Sequence, residues 1–411
     1  AGIGKKAGVG VAVTVEIIDV TTKATVADGA DLEAAGATTV DATSHVTPLA
    51  IPLGDVPLLP DSVSLTSVAA GAGVSNGDAG VTGSIVVNVF TLDTEATMGR
   101  NVLVNETVAS PRADQDITVQ ALDTTQLTSV AGAAAGSFGS SGIAVAGGVD
   151  VAVLGKTTRA SVGRGSQLKS ARNVLVDAHS TEDLISVAAS AAASGSAAVG
   201  GSVSVYVVTS TTHAALENGS SQAAPGASVD AVGAVTVSAE GPVTLDQVAG
   251  NLSIGSDAGV GLSNTTFVHT DTVEAYVGDF AVVTTHSTPG LSVTANSSEN
   301  LVTIAAGGAG GGSAGIAASA AVNILNETTL AAIGDGVTIV AQPILALFGA
   351  PSALVQADDA TDLVSVGGSV GAASTAGVGA GVGVAKFTKN TEASIGSGAS
   401  AAIAANLQVL A

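Results

Sequence analysis

Residues of alternating character recur along this chain with period two, the signature of β-strands with one covered and one open face. In "VGGSVSVYVV" (199–208) one set of alternate positions holds Val199, Val203, Val205 and Val207, and the other holds Gly, Ser and Tyr. The pattern predicts a strand that turns its valines inward. "LISVAASAAASGS" (184–196) and "AVTVSA" (234–239) read as strands in the same way. Runs of Ala are interleaved with Gly, Ser and Val, lack caps and keep no 3.6-residue spacing, so no helix is predicted. The chain is expected to be all-β.

The strands belong to a repeat. A T-x-A-x-(V/I)-G pattern has its Ala at Ala24, Ala96, Ala160, Ala214, Ala275, Ala331 and Ala393, with spacings of 72, 64, 54, 61, 56 and 62. A second mark, L-x-x-(V/I), starts at Leu65, Leu127, Leu184, Leu245, Leu301 and Leu363. Both give a unit of about 60 residues, and agreement between independent marks makes a repeat architecture the primary expectation. Another Ala stands 17 positions before six of the seven markers; in the third unit "SGIAVAGG" reads as slipped by about two residues. The approximate units are 1–61, 62–124, 125–181, 182–242, 243–298, 299–360 and 361–411, the first and last partial, within one continuous array. Length variation gathers in Pro- and Asp-rich stretches such as "TPLAIPLGDVPLLPD" (47–61) and "SPRADQD" (110–116), which read as projecting loops. With no polar capping unit at either end, the array reads as a fragment of a longer one.

Around each marker the inside and outside are assigned by residue type. One position earlier stand Lys23, Glu95, Arg159, His213, Glu274, Leu330 and Glu392, which predicts an outward row; two positions later stand Val26, Met98, Val162, Leu216, Val277, Ile333 and Ile395, which predicts an inward one. Gly99, Gly163, Gly278, Gly334 and Gly396 follow, where a corner with positive φ is expected. Thr22, Thr94, Thr158, Thr212, Thr329 and Thr391 fall on the inward phase and are expected to hydrogen-bond along the stack. Strands that recur at fixed period and cannot cover their faces within one unit predict a repetitive β-solenoid, a wide β-helix of about seven units with about four strands in each. One coil per unit gives a rise of about 34 Å and several coils give more, from the ~4.8 Å strand spacing.

Composition narrows the class. Ala, Gly, Val, Ser and Thr dominate, with 2% aromatics and no Trp, so the core must close by packing small side chains. A formal charge of −22 repels nucleic acid and anionic lipid and attracts cations. No Cys is present, which removes disulfides and Cys-based zinc sites. The long uncharged stretch 304–325 is Ala, Gly and Ser rather than Leu, so no transmembrane segment is expected, and no signal-peptide core is visible.

The chemistry expected is sparse. With 12 Lys plus Arg and 2 Tyr, no lyase-like cluster of base, cation and aromatic side chains is visible, and no catalytic residue is assigned. His45, His179, His213, His269 and His286 share no metal-ligand spacing; "DAH" (177–179) reads as a surface turn and His213 as a solvated side chain, so no metal or cofactor site is assigned. Carboxylates near turns in "ADGAD" (27–31), "VGDF" (277–280), "IGDGV" (333–337) and "ADDATD" (357–362) bring in Ca²⁺ as an alternative, but the Gly-Gly-x-Gly-x-Asp repeat of calcium-loaded β-rolls is missing and they read first as solvated turn aspartates. "GIGKKAG" (2–8) and "GVGAGVG" (377–383) sit inside the repeat and read as close-packing glycines rather than phosphate loops.

The lines "AGVGAGVGVAKFTKNTEASIGSG", "AGIAASAAVNILNETTLAAIGDG" and "VTVSA" resemble the repeats of very large bacterial surface proteins, the β-strand-repeat, leukotoxin-like filamentous adhesins. The resemblance spans essentially the whole chain. It implies an extracellular or cell-surface structural protein without catalytic residues, forming a stalk, fibre or sheath by self-association and contributing to adhesion to surface glycans or host cells. The alternatives from other classes are a carbohydrate-binding surface module and a β-helical polysaccharide lyase.

Overall fold

The computed structural model describes the chain except residues 53–61, 109–110 and 344–351. It is a β-solenoid of about seven rungs, with no helix among the described residues. Each complete rung has three strands, which form three parallel sheets along the stack. In rung 4, a 21-residue strand (Val174–Ser194) crosses in sheet I, a two-residue turn reverses the chain, and a 20-residue strand (Ala197–Leu216) returns in sheet II. A four-residue strand (Ser228–Ala231) in sheet III then leads to the next rung.

The expected four strands per unit are therefore three, for a physical reason. The closing "VTVSA" and the following L-x-x-V leader lie on one strand, Val235–Gly255, because the polar residues between them keep the period-two alternation. The upstream valine segment and the T-x-A motif likewise fuse into one strand. The short sheet III strand has too few residues to show a period. One coil per unit fixes the rise at about 34 Å, against a rung width of about 70 Å from ~3.3 Å per residue.

Register follows the repeat. Ala24, Ala96, Ala160, Ala214, Ala275, Ala331 and Ala393 are successive partners across sheet II. Leu127, Leu184, Leu245, Leu301 and Leu363 are successive partners across sheet I. The slip expected in the third unit does not occur. Ile143 pairs with Ala79 and Ala197, so this rung keeps the register and substitutes a larger residue. The insertion after the first marker leaves sheet I in mid-strand: Thr38–Val46 and Ser67–Ser75 both pair with the unbroken strand Ile117–Ser137. Leu49–Pro52 and Ser62–Leu65 pair with each other at its base, and the expected loop at 53–61 lies outside the described residues.

The cross-section is a wedge. At the turn end the sheets meet almost backbone to backbone: a Cβ on Gly8 would lie 2.0 Å from the Val74 carbonyl oxygen, and one on Gly315 2.3 Å from that of Ala372. At the other end sheet III holds the broad sheets apart, and the space is filled by Met98, Val162, Leu216, Val277 and Ile333 against Val174, Val176, Leu168 and Val229. These aliphatic residues supply the main apolar burial, with a fully buried Val or Leu side chain contributing about 1.5–3 kcal/mol.

Candidate functional site

The face expected to be inward is the outward one. On Ala197–Leu216 the buried positions are Gly200, Ser202, Ser204 and Tyr206, whereas Val199, Val203, Val205 and Val207 face out. Alternation separates two faces without saying which is covered. Here the closeness of the sheets decides, because the thin end is filled mostly by Gly, Ala and Ser between them. The aliphatic rank continues through every rung: Val9, Val81, Val145, Val199, Val260, Ile316 and Val378 stand at one register position. In the inner rungs its members keep substantial exposure, as in Val81 at 39%, Val199 at 38% and Ile316 at 46%. On the outer face of sheet I, Leu252 and Ile254 near the same edge and Val68 and Ile185 farther from it are also exposed. The thin end is thus an apolar blade along the stack.

The turns at the thick end bind rung to rung. Asp279 Oδ1 accepts the Asp335 backbone N–H at 2.7 Å, and Asp335 Oδ1 accepts that of Ser397 at 2.6 Å. Asp28 does the same for Arg100 at 2.7 Å, and Asn218 for Asp279 at 2.8 Å. The turn carboxylates weighed as calcium ligands in three of the four stretches thus terminate a backbone ladder. In the fourth, Asp358 and Asp362 face out and Asp359 faces in. Positive φ falls two residues beyond the expected glycines, at Asn101, Gly165, Phe280, Gly336 and Gly398, and at Gly29 in the corresponding turn of the first rung. The expected glycines answer a different need: a Cβ on Gly334 would lie 2.4 Å from Asp279 Oδ1, so the turn below excludes it.

The inward thin-to-thick transition carries a column of buried charge that sequence reasoning did not find. In rung 3, Lys156 Nζ lies 2.8 Å from Asp123 Oδ1 and 2.7 Å from Glu182 Oε1, all three side chains having at most 1% exposure. Thr94 donates to Asp123 at 2.8 Å and Ser180 to Glu182 at 2.7 Å. Higher up, Lys389 meets Glu327 at 2.7 Å and Glu299 at 3.3 Å, and also pairs with Asp359. Ser297 lies 2.9 Å from Asp271 and 2.8 Å from Glu299, with a single hydroxyl proton between two carboxyls. Burial raises the Glu327 pKa to about 7, partly offset by Lys389, and pushes Asp271 well up. A separate knot surrounds Asp150, which accepts from Ser129 at 2.6 Å and from Tyr206 at 3.2 Å and whose pKa burial raises.

The histidines fall in unlike places. His45 is exposed. His179 lies in mid-strand rather than in a turn, on the outer face, 3.0 Å from Glu240. His286 contacts Asp230 at 3.1 Å beside sheet III. His213 is on the outward row as expected but is not freely solvated: it packs on Tyr276 with ring centroids 4.9 Å apart, and burial with the Arg159 charge lowers its pKa to about 4. His269 is fully buried, and one of its ring nitrogens comes together with one carboxylate oxygen each of Glu299 and Glu327, the three atoms all within 4.8 Å of one another. Those residues are 30 and 58 positions away from it, beyond any ligand-spacing rule. A column comparison would have found it: at the register of His269 the other rungs hold Ile18, Phe90, Leu154, Val208, Leu325 and Phe387.

The inward threonines are placed as expected, but their hydroxyls do not form a ladder. The Oγ1 atoms of Thr158, Thr212 and Thr329 have no hydrogen-bond partner among the described residues, so these side chains serve the stack through their methyl groups.

No protein-family model matches the chain, and no curated protein or solved structure matches it. What the geometry defines is the class: a wide, three-sheet parallel β-solenoid with one coil per repeat. No described helix is long and apolar enough to cross a membrane, because there is none.

Proposed function

We propose that the chain is structural repeat material, the shaft of an extracellular stalk, fibre or sheath on a bacterial surface, and does not act as an enzyme. The observation that carries this reading is the unbroken register of sheet II, in which seven strands pair in parallel with like residues stacked. A ladder of this kind distributes load over roughly 20 backbone pairs per rung and adds length by adding rungs, independent of any single site.

Lateral self-association is supported by the apolar blade. Its aliphatic ranks repeat at the rung spacing, so the surface with the matching period is a second copy of the same stack, and covering it removes the exposed Val and Ile residues from water. Negative-stain electron microscopy of protein from its native source tests the reading, first with calcium and then with chelator. Uniform rods or sheets in both conditions are expected. Compact, unassociated particles in both would refute it.

A further inference from the structure

We propose that His269, Glu299 and Glu327 form a buried site for one divalent transition-metal ion, Zn²⁺ being the ion the donors suit best. His269 is completely buried, and neither ring nitrogen has a hydrogen-bond partner among the described residues. Leaving such a group unpaired is destabilising, and the apolar residues at its register position in all six other rungs show that the fold does not need it. Glu327 Oε1 also lacks a hydrogen-bond partner, as does Oδ1 of Asp271, its register neighbour in rung 5.

Charge points the same way. Asp271, Glu299, Glu327 and Asp359 face this stretch of core, where Lys389 is the cation paired with Glu299, Glu327 and Asp359. Ionised, the four carboxyls exceed the one ammonium by three charges, and a divalent ion removes most of that excess.

One nitrogen and carboxylate oxygens are the borderline donor set of Zn²⁺, whereas Ca²⁺ asks for six to eight oxygens. Donors within 4.8 Å must draw in to edges of about 3.4 Å to hold Zn²⁺ tetrahedrally at ~2.1 Å, a shift that rotations of two Glu side chains can supply. Asp271 is the candidate for the fourth position. The ion would join rungs 5 and 6, since His269 lies on one sheet II strand and Glu327 on the next. A site this deep loads as the rungs close, so metal uptake accompanies folding.

The test unfolds the full chain in urea with chelator and refolds it with or without one equivalent of Zn²⁺, followed by desalting and metal analysis. One retained Zn²⁺ per chain and a higher urea midpoint are expected. His269→Leu, which installs the residue found at 325, should lose both effects, and His286→Gln should keep both. Should His269→Leu fail to fold, Co²⁺ added during refolding of the unaltered chain gives an independent reading: an intense tetrahedral visible band at one ion per chain supports the site. No retained metal, equal retention by His269→Leu, or a midpoint raised by Ca²⁺ and not by Zn²⁺ would overturn it.

Discussion

Lys156 is the sharpest test of how the interior is held together. Its ammonium stands in a dry core between Asp123 and Glu182, at 2.8 and 2.7 Å. Replacing it alone leaves two buried carboxylates without a counter-charge, a loss of about 3–5 kcal/mol. The neighbouring rungs hold the repair. At the register of Lys156 rung 2 has Leu92; at that of Asp123 rung 4 has Ser180; at that of Glu182 rung 3 has Thr125. Lys156→Leu should therefore be severely destabilising, while Lys156→Leu combined with Asp123→Ser and Glu182→Thr should recover to within about 1–2 kcal/mol of the parent, since apolar or neutral replacement of a whole buried ion cluster is often neutral or better. The hydroxyls of Thr94 and Ser180 lose their acceptors in the triple variant, but the stack already accommodates unpaired Thr hydroxyls at 158, 212 and 329. Because repeat arrays unfold in parts, the assay is native-state hydrogen exchange of amides in Ile143–Val162 together with the urea midpoint. A single variant costing under about 1 kcal/mol, or a triple variant no better than the single, would refute the reasoning.

Four further outcomes follow from the geometry. Val205→Asp should leave the fold intact at a cost of about 1 kcal/mol or less while abolishing lateral association in sedimentation, whereas Ala214→Asp, at a position with 0% exposure, should prevent folding as seen by circular dichroism. Gly334→Ala should destabilise the turn more than Asp279→Ala, which removes one 2.7 Å rung-to-rung hydrogen bond at a cost of about 0.5–1.5 kcal/mol, and urea midpoints of the pair check the order. In chelator, Glu327 with its folded pKa raised to about 7 from 4.5 contributes stability that is fully present below about pH 4.5 and lost as pH rises through 7, so Glu327→Gln should flatten that part of the stability profile. His213, lowered from 6.5 to about 4, acts oppositely: stability falls as pH drops from 6.5 towards 4, and His213→Gln should remove that decline.

The repeat, the strands and the register were legible because each is written many times. The seven marker alanines stack as partners, and the charged row beside them faces out as its residue types require. What was not legible depends on distances between sheets. Val205 and Tyr206 alternate on one strand, and nothing local says that the bulky tyrosine goes inside; Tyr206 fits where it does because it reaches Asp150 in the rung below. Glycine was recognised as a turn residue, but its position was misread, since the left-handed residue at 336 and the sterically excluded Cβ at 334 are separate demands two residues apart.

The buried charges escaped for a deeper reason. In a solenoid every column has a consensus, and a residue that departs from it is answered in space by another departure, often more than 20 positions away. Lys156 departs from Leu92 and Ser210 and is answered by Asp123 and Glu182; His269 departs from Val208 and Leu325 and is faced by Glu299 and Glu327. The first answer is complete, with cation and anions in contact. The second is not, because neither imidazole nitrogen has a hydrogen-bond partner among the described residues and the carboxyls outnumber the one ammonium. An apolar residue at 269 would satisfy the column without cost. A histidine there makes physical sense when something positively charged completes it, and that is why the unmatched departure, rather than the repeated body of the stack, is where a bound ion belongs.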